Sequence, residues 1–128
     1  MSAPLRGADL VAFAPTADLE RAHAFYGGVL GLDRVEASPY ANAYDAGGTQ
    51  LRVTRVEDPP AASFTVLGWH VADIAGAIGD LAGRGVVFER YDGMEQDAAG
   101  VWTAPSGTRV AWFKDPDGNT LSLSEPSA

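Results

Sequence analysis

The stretch GTQLRVT (residues 48–54) returns 70 residues later as GNTLSLS (residues 118–124). In both copies a glycine leads into alternating apolar and polar residues, which is the pattern of a strand with one buried face. A second echo lies upstream of each copy, where an Ala-Asp pair opens a helical pattern at Asp18 and again 55 residues later at Asp73. A unit that is used twice predicts two equivalent modules. We expect two such half-sheets, placed side by side, to enclose a cleft.

The first module, residues 8–56, is predicted to contain a strand, a helix and three more strands. The first strand covers residues 8–14, and helical spacing of apolar residues places the helix at residues 18–30. Either Thr16 or Asp18 is suited to cap the start of this helix. The remaining strands are expected at residues 33–38, 41–46 and 50–56.

The second module, residues 64–125, follows a polar, proline-bearing linker at residues 57–63. It is predicted to begin with a strand at residues 64–71 and to continue with a helix that Asp73 caps. We place the later strands at residues 86–90, 108–114 and 119–124, with a tight turn at DPDGN (115–119).

The longest connection in the chain is the predicted loop at residues 91–107. Long loops in small domains are usually functional or mobile. Met94, Val101 and Trp102 are unusually apolar for a loop, so we expect this segment to fold down onto an apolar surface.

Composition limits the range of functions. The chain of 128 residues is sized for one domain, and its 46% apolar content is enough for a core. A net charge of −8 argues against nucleic acid or an anionic membrane as partner. The absence of cysteine excludes disulfides, thiolate catalysis and sulfur-ligated metals. With no long apolar run and no signal-peptide pattern, a cytoplasmic location is expected.

Three motifs carry a family likeness: FYGGVLGL (25–32), VADI (71–74) and FKDPDGN (113–119). In this order and spacing they resemble the vicinal oxygen chelate superfamily, which includes glyoxalase I, extradiol dioxygenases and bleomycin-binding proteins. The resemblance covers nearly the whole chain. It implies an α+β fold in which two tandem βαβββ modules form an incomplete barrel around a cleft, and it implies a homodimer.

Catalytic members of that superfamily hold a divalent metal with His, Glu or Gln side chains from four strands. The matching positions in this chain are Val11, Arg52, Leu67 and Ser122. These side chains are not the imidazole and carboxylate donors that such metals require. The resemblance therefore implies a member without the metal site, and no cofactor is expected.

Three side chains near these positions carry imidazole or carboxylate groups that could bind a metal instead. His70 lies three residues from Leu67, so we expect it on the opposite face of its strand, and Glu125 lies three residues from Ser122. His23 is on the first helix. We expect these three side chains not to converge.

Alternation predicts which side chains face the cleft: Val11, Phe13, Gln50, Arg52, Thr54, Leu67, Trp69, Thr120, Ser122 and Ser124. Arg52 is suited either to a carboxylate, phosphate or planar ring of a ligand, or to an ion pair with a nearby Asp or Glu. Trp69 and Trp102, together with Trp112, are expected to form walls for a flat ligand. The predicted ligand-binding residues are Phe13, Gln50, Arg52, Trp69, Trp102, Trp112 and Ser122.

The favoured function is metal-independent binding, in which the cleft sequesters a small aromatic or amphipathic compound such as an antibiotic, a pigment or a metabolite. The alternative is a lyase, isomerase or dioxygenase of the same superfamily with an atypical active site. A third hypothesis is an interaction domain whose cleft holds a segment of a partner protein.

Overall fold

The structure, a computed structural model, describes residues 3–127 and divides between Pro59 and Pro60 into two compact units. The first unit contains β1 (Val11–Thr16), α1 (Leu19–His23), a π-helical segment (Ala24–Val29), β2 (Asp33–Ala37), β3 (Ala41–Ala46) and β4 (Thr49–Arg55). The second contains β5 (Thr65–His70), α2 (Ile74–Gly83), β6 (Trp102–Thr103), β7 (Arg109–Lys114) and β8 (Thr120–Glu125). The predicted α+β class and the two βαβββ modules are confirmed.

Each module has the same sheet topology. The strand orders are β1-β4-β3-β2 and β5-β8-β7-β6. In each sheet the repeated stretch forms a central strand, β4 or β8, which pairs in parallel with the first strand of its module and antiparallel with the strand before it. The echo in the sequence therefore corresponds to a duplicated pattern of backbone hydrogen bonds.

Aspartates cap both helices, as the sequence predicts. The Asp18 carboxylate accepts hydrogen bonds from the backbone N–H groups of Glu20 and Arg21, at 3.0 and 3.1 Å. The Asp73 carboxylate accepts one from the N–H of Gly76 at 3.1 Å. These bonds satisfy amide groups that have no acceptor within the helix. No helix within residues 3–127 is long and apolar enough to cross a lipid bilayer.

The helix predicted at residues 18–30 is not continuous α-helix. It is α-helical only over Leu19–His23, and then π-helical over Ala24–Val29, where the Leu30 N–H donates to the Phe25 carbonyl at 2.9 Å. The Gly27-Gly28 pair, with its low helix propensity, lies inside the π-helical part.

The core of the first module lies between its helix and one face of its sheet. Tyr26, Tyr44 and Val53 are fully buried there. The Tyr44 hydroxyl lies 3.0 Å from His23 Nδ1, and the two rings stack with centroids 5.9 Å apart. Burial raises the pKa of the Tyr44 hydroxyl. His23 is thus engaged in this core.

The core of the second module is built in the same way around β8. Leu121 and Phe113 are fully buried, and so is Ile74 of α2. The Phe88 ring packs against Phe113 with centroids 5.4 Å apart. The chain leading into the long connection is therefore anchored in this core.

The strand predicted at residues 86–90 is wrong. This segment makes one backbone hydrogen bond to β7, from the Glu89 N–H to the Trp112 carbonyl at 2.8 Å. The edge strand of the sheet is instead the short β6, inside the predicted loop. Residues 91–101 separate the two segments, and we call them the insertion. Because the insertion interrupts this edge, a regular ladder cannot form along residues 86–90.

The DPDGN motif makes a buried turn between β7 and β8. Asp115 Oδ1 accepts from the backbone N–H groups of Asp117 and Asn119, both at 2.9 Å, and Asp115 Oδ2 accepts from the Asn119 side chain at 2.8 Å. Gly118 has a φ of 84°, a conformation that other residues rarely adopt. The corresponding turn of the first module is simpler, because Asp45 accepts one exposed bond, from the Gly48 N–H at 2.9 Å.

This difference predicts unequal effects of two matched substitutions. Asp115→Ala should lower the free energy of unfolding by about 3 kcal/mol, because it leaves buried donors without a charged acceptor. Asp45→Ala should cost less than about 1 kcal/mol, because water can replace the lost acceptor. Urea denaturation of both variants measures this. Equal losses would show that the buried turn has no special role.

Candidate ligand-binding site

The open face of the first sheet carries three of the predicted site residues. Phe13 is paired with Arg52, and Val11 with Gln50, so all four side chains lie on the same face. Phe13 is 62% exposed, which is unusual for a phenylalanine. The intervening residues of β4, Leu51 and Val53, are buried on the opposite face. The predicted orientation of this face is confirmed, and a ligand on it stays a prediction.

Arg52 forms an ion pair, which was one of its two predicted roles. Both terminal nitrogens of its guanidinium lie 3.3 Å from Oε2 of Glu36. The side chains of Arg52 and Glu36 are 28% and 52% exposed, so water screens this pair and it contributes little to stability.

The open face of the second sheet carries Trp112 and Ser122. These residues are paired across β7 and β8, and Ser122 is paired with Gly68 of β5. A Cβ at Gly68 would stand 2.8 Å from Ser122 Oγ, so a larger residue here would require the Ser122 side chain to move. Trp102 lies on the same face, because its partner Val110 is two residues from Trp112.

Trp69 does not join this face. The pairing of β5 with β8 shifts between Thr65 and Leu67, and it places Trp69 beside Leu123 and Leu67 beside Leu121. Both Trp69 and Leu67 therefore lie on the face that carries the core, and their predicted orientation towards the cleft is wrong. In β5 it is Gly68 and His70 that share a face with Ser122. The prediction failed because a shift of one residue exchanges the two faces of a strand.

Three aromatic rings cluster on the open face of the second sheet. Tyr91 meets Trp112 edge to face with centroids 5.6 Å apart, and Trp102 lies 6.2 Å from Trp112 at an angle of 37°. We call Tyr91, Trp102 and Trp112 the aromatic cluster. Such contacts contribute about 0.5–1.5 kcal/mol each beyond burial. Trp102 and Trp112 are thus brought together as predicted.

An open cavity of about 230 Å³ lies against this cluster. Its lining combines the sheet face with two flanking segments and consists of Ser63, Phe64, Thr65, Tyr91, Met94, Trp112 and Thr120. We call it the aromatic pocket. Phe64 is 71% exposed. Phe64 is not among the residues that the sequence predicts to bind a ligand. The signal that could have identified it is a large apolar side chain at the very start of the strand predicted at residues 64–71.

Gln96 holds the insertion in place. Its side-chain Oε1 accepts from the Tyr91 N–H at 2.8 Å, and its Nε2 donates to the carbonyls of Glu89 and Gly100, at 3.0 and 2.9 Å. One amide thus substitutes for the ladder that the insertion interrupts. Because it bonds to the backbone of Tyr91, it also fixes one wall of the aromatic pocket.

Two charged residues complete the insertion. Asp97 Oδ1 accepts from the N–H groups of Ala99 and Val101, both at 2.9 Å. The Arg90 guanidinium donates to the carbonyls of Asp97 and Gln96, at 2.6 and 3.3 Å. Val101 is buried, which confirms the prediction that the long connection folds onto an apolar surface.

Replacing Gln96 should loosen the insertion without unfolding the sheet. In Gln96→Ala the Tyr91 amide loses its acceptor, so its hydrogen exchange should accelerate at least about tenfold. Exchange measured by NMR, residue by residue, tests this. Glu95→Ala, a change at the exposed neighbouring residue, is the control and should leave the Tyr91 amide protected. Unchanged exchange in Gln96→Ala would contradict the role given to this side chain.

The metal-donor positions carry side chains that do not fit a divalent ion. The four positions are Val11, Arg52, Leu67 and Ser122, none of which supplies an imidazole or a carboxylate. Within residues 3–127, no three His, Asp or Glu side chains come together to hold a metal. This donor set gives no basis for a step routed through a metal.

The nearby donors have other positions and partners. His70 is exposed on the open face beside Ser124, so it lies on the opposite face of β5 from Leu67, as expected. Because Leu67 faces the core, His70 is on the side of Ser122. Glu125 accepts from the Ile74 N–H at 2.9 Å, at the start of α2, and from the Arg109 guanidinium at 2.8 Å. The Ile74 and Arg109 bonds both lower the pKa of Glu125. This carboxylate joins β8, β7 and α2.

The lowered pKa of Glu125 predicts how stability depends on pH. The folded state favours the carboxylate, so this stabilisation is present above the unfolded-state pKa of about 4.5 and is lost as the pH falls through the lower folded-state pKa. Urea midpoints measured from pH 7 to pH 3 should show wild type more stable than Glu125→Gln at pH 7. The two curves should converge at low pH. Glu57→Gln, at an exposed position, is the control and should follow the wild-type curve at every pH. If the difference between wild type and Glu125→Gln stays the same from pH 7 to pH 3, the assignment is contradicted.

Comparison with known proteins places this architecture in a family. The model of the Glyoxalase/Bleomycin resistance protein/Dioxygenase superfamily matches residues 9–123. No protein of curated function matches the chain in sequence. Because the family model spans most of the chain, the protein belongs to this superfamily.

Solved structures show the same fold. A protein from Bacillus anthracis assigned to the glyoxalase family has 20% identity and a TM-score of 0.74, over 99% of this chain and 100% of that one. A lactoylglutathione lyase from Agrobacterium tumefaciens has 19% identity and a TM-score of 0.72, over 92% of each chain. A superfamily member from Sphaerobacter thermophilus has 26% identity and a TM-score of 0.69, over 91% of this chain and 95% of that one.

Proposed function

We propose that this protein binds a small aromatic or amphipathic compound without a metal, and that the aromatic pocket of the second module is the binding site. The observation that carries the proposal is the convergence of Tyr91, Met94 and Trp112 around one open cavity. Pockets with mostly apolar walls and a few polar groups are the usual form of small-molecule sites.

The insertion supports binding by a site that is already formed. Gln96 and Arg90 together make hydrogen bonds from their side chains to the backbone at Tyr91, Glu89, Gly100, Gln96 and Asp97. A wall that is ordered before the ligand arrives lowers the entropy cost of binding. Sequestration requires such a wall and needs no reacting group.

The first module contributes a second part of the proposal. The open face of the first sheet carries Phe13, Gln50 and Arg52. We propose that these three side chains also contact a ligand. Membership of the superfamily supports two further proposals, that the chain forms homodimers and that it acts in the cytoplasm. The enzymatic alternative would require a bound metal or a positioned acid–base pair. Near-stoichiometric iron, zinc, nickel or manganese in the purified protein, measured by elemental analysis, would favour it.

Binding can be tested with 2-naphthol as a planar probe and protein dialysed against EDTA. Isothermal titration should show saturable binding that added divalent metal does not change. Trp112→Leu should weaken binding about tenfold, because it removes a wall worth about 1.4 kcal/mol. Trp102→Ala should also reduce the free energy of binding by more than it reduces the free energy of unfolding, because it removes the ring that packs against Trp112.

Trp69→Leu is the matched control. Trp69 is half-buried in the same sheet but lies on the opposite face, so its removal should change the dissociation constant by less than about twofold. Urea denaturation of all three variants separates loss of binding from loss of folding. Absence of saturable binding, or equal loss in Trp69→Leu and Trp112→Leu, would contradict the proposed site.

A further inference from the structure

The lining of the aromatic pocket contains no charged side chain. Its polar side-chain groups are the hydroxyl groups of Ser63, Thr65, Thr120 and Tyr91 and the indole N–H of Trp112. In the chain as a whole, 20% of the residues are charged and the net charge is −8. The choice of ligand should therefore depend on the local lining and not on the overall charge.

Two of these hydroxyl groups carry no charge and face no charged hydrogen-bond partner: the Tyr91 hydroxyl stays protonated, and the Thr120 hydroxyl binds a backbone carbonyl. Burial, and to a lesser extent the nearby Glu89 carboxylate, raises the pKa of the Tyr91 hydroxyl, so it stays protonated at neutral pH. The Thr120 hydroxyl donates to the Ala62 carbonyl at 2.8 Å. Ser63 and Thr65 are exposed at the pocket and can exchange hydrogen bonds with a ligand.

From this lining we infer that the ligand group bound in the aromatic pocket is an uncharged aromatic ring system carrying at most a hydroxyl-type polar group. The inference rests on the proposed function and specifies its ligand class. It runs against the overall charge of the chain, which by itself attracts cations.

Magnitudes decide between a neutral and a charged ligand. A cation over an aromatic face gains about 0.5–2 kcal/mol, whereas a charge that is covered by the lining, without a partner, loses more than that in hydration. An anion meets the same cost with no guanidinium or ammonium in the lining, and the Glu89 carboxylate near Tyr91 repels an anion further, whereas it attracts a cation. A neutral ring pays neither cost. Since an apolar cavity of about 150 Å³ holds benzene, the pocket of about 230 Å³ admits a naphthalene-sized ring.

The test compares three probes with the same ring system at pH 7: 2-naphthol, 2-naphthoate and 2-naphthylmethylammonium. We expect 2-naphthol to bind at least about tenfold more tightly than either charged probe, by isothermal titration at fixed ionic strength. If a charged probe binds as tightly as 2-naphthol, the inference is overturned while the proposed function stands. If none of the three binds, both are overturned.

A variant makes the test specific to this pocket. Thr65→Lys places an ammonium at an exposed lining position and should tighten 2-naphthoate binding about threefold to fivefold without helping 2-naphthylmethylammonium. Thr103→Lys, on β6 and outside the pocket lining, is the control for the added charge and should have less than about a twofold effect. If both variants tighten 2-naphthoate binding equally, the discrimination arises from overall charge and the inference is overturned.

Discussion

Strand register is the constraint on which the rest of this molecule depends. In each sheet the central strand, β4 or β8, fixes which side chains its neighbours present on the same face. In the first module regular pairing gives an open face with Phe13 and Arg52 and a buried face with Leu51. In the second, the shift after Thr65 puts Trp69 with the core and leaves Trp112 on the open face. A slip of one residue would exchange these sets and remove the aromatic pocket.

The two modules share a topology but differ at one edge. β2 pairs along β3 over five residues with a bulge, whereas the corresponding edge of β7 is divided by the insertion. Inserting chain into an edge strand costs ladder hydrogen bonds, and the side chains of Gln96 and Arg90 instead hold the backbone of the insertion and of Glu89 just before it. The gain is a wall that carries Tyr91 and Met94 over the sheet face. Duplication thus provides a framework, and one asymmetric edge provides the proposed site.

Much of the fold could be predicted because local signals agreed with each other. The repeated alternating stretch marked both central strands, and Asp18 and Asp73 marked both helix starts. The strand predicted at residues 86–90 was wrong because its β-prone residues make only one backbone hydrogen bond to β7. The Glu89 carbonyl instead accepts a hydrogen bond from the Gln96 side chain. Trp69 misled for a different reason. Alternation alone left Leu67 and Trp69 free to take either face, and the polar or small residues Gly68 and His70 were the better guide to the open one.

The candidate site was less predictable than the fold. Trp102 and Trp112 were identified because tryptophan is rare and large, but only Trp112 lines the pocket, and much of the other lining depends on the path of the insertion. That path is set by hydrogen bonds between Gln96 and backbone groups that lie four to seven residues away, and no periodicity in the sequence encodes them. Phe64 belongs to the site only because β5 begins beside Trp112 and Thr120.

The chain has two methionines, Met1 and Met94, and this allows one direct test of the central claim that the aromatic pocket is where a ligand binds. Protein labelled with ¹³C at the methionine methyl groups should give two NMR signals, which Met94→Leu assigns. On titration with 2-naphthol, the Met94 methyl should shift upfield in a saturable manner and show Overhauser contacts to the naphthol ring protons. Saturable binding of 2-naphthol with an unmoved Met94 signal would contradict the claim.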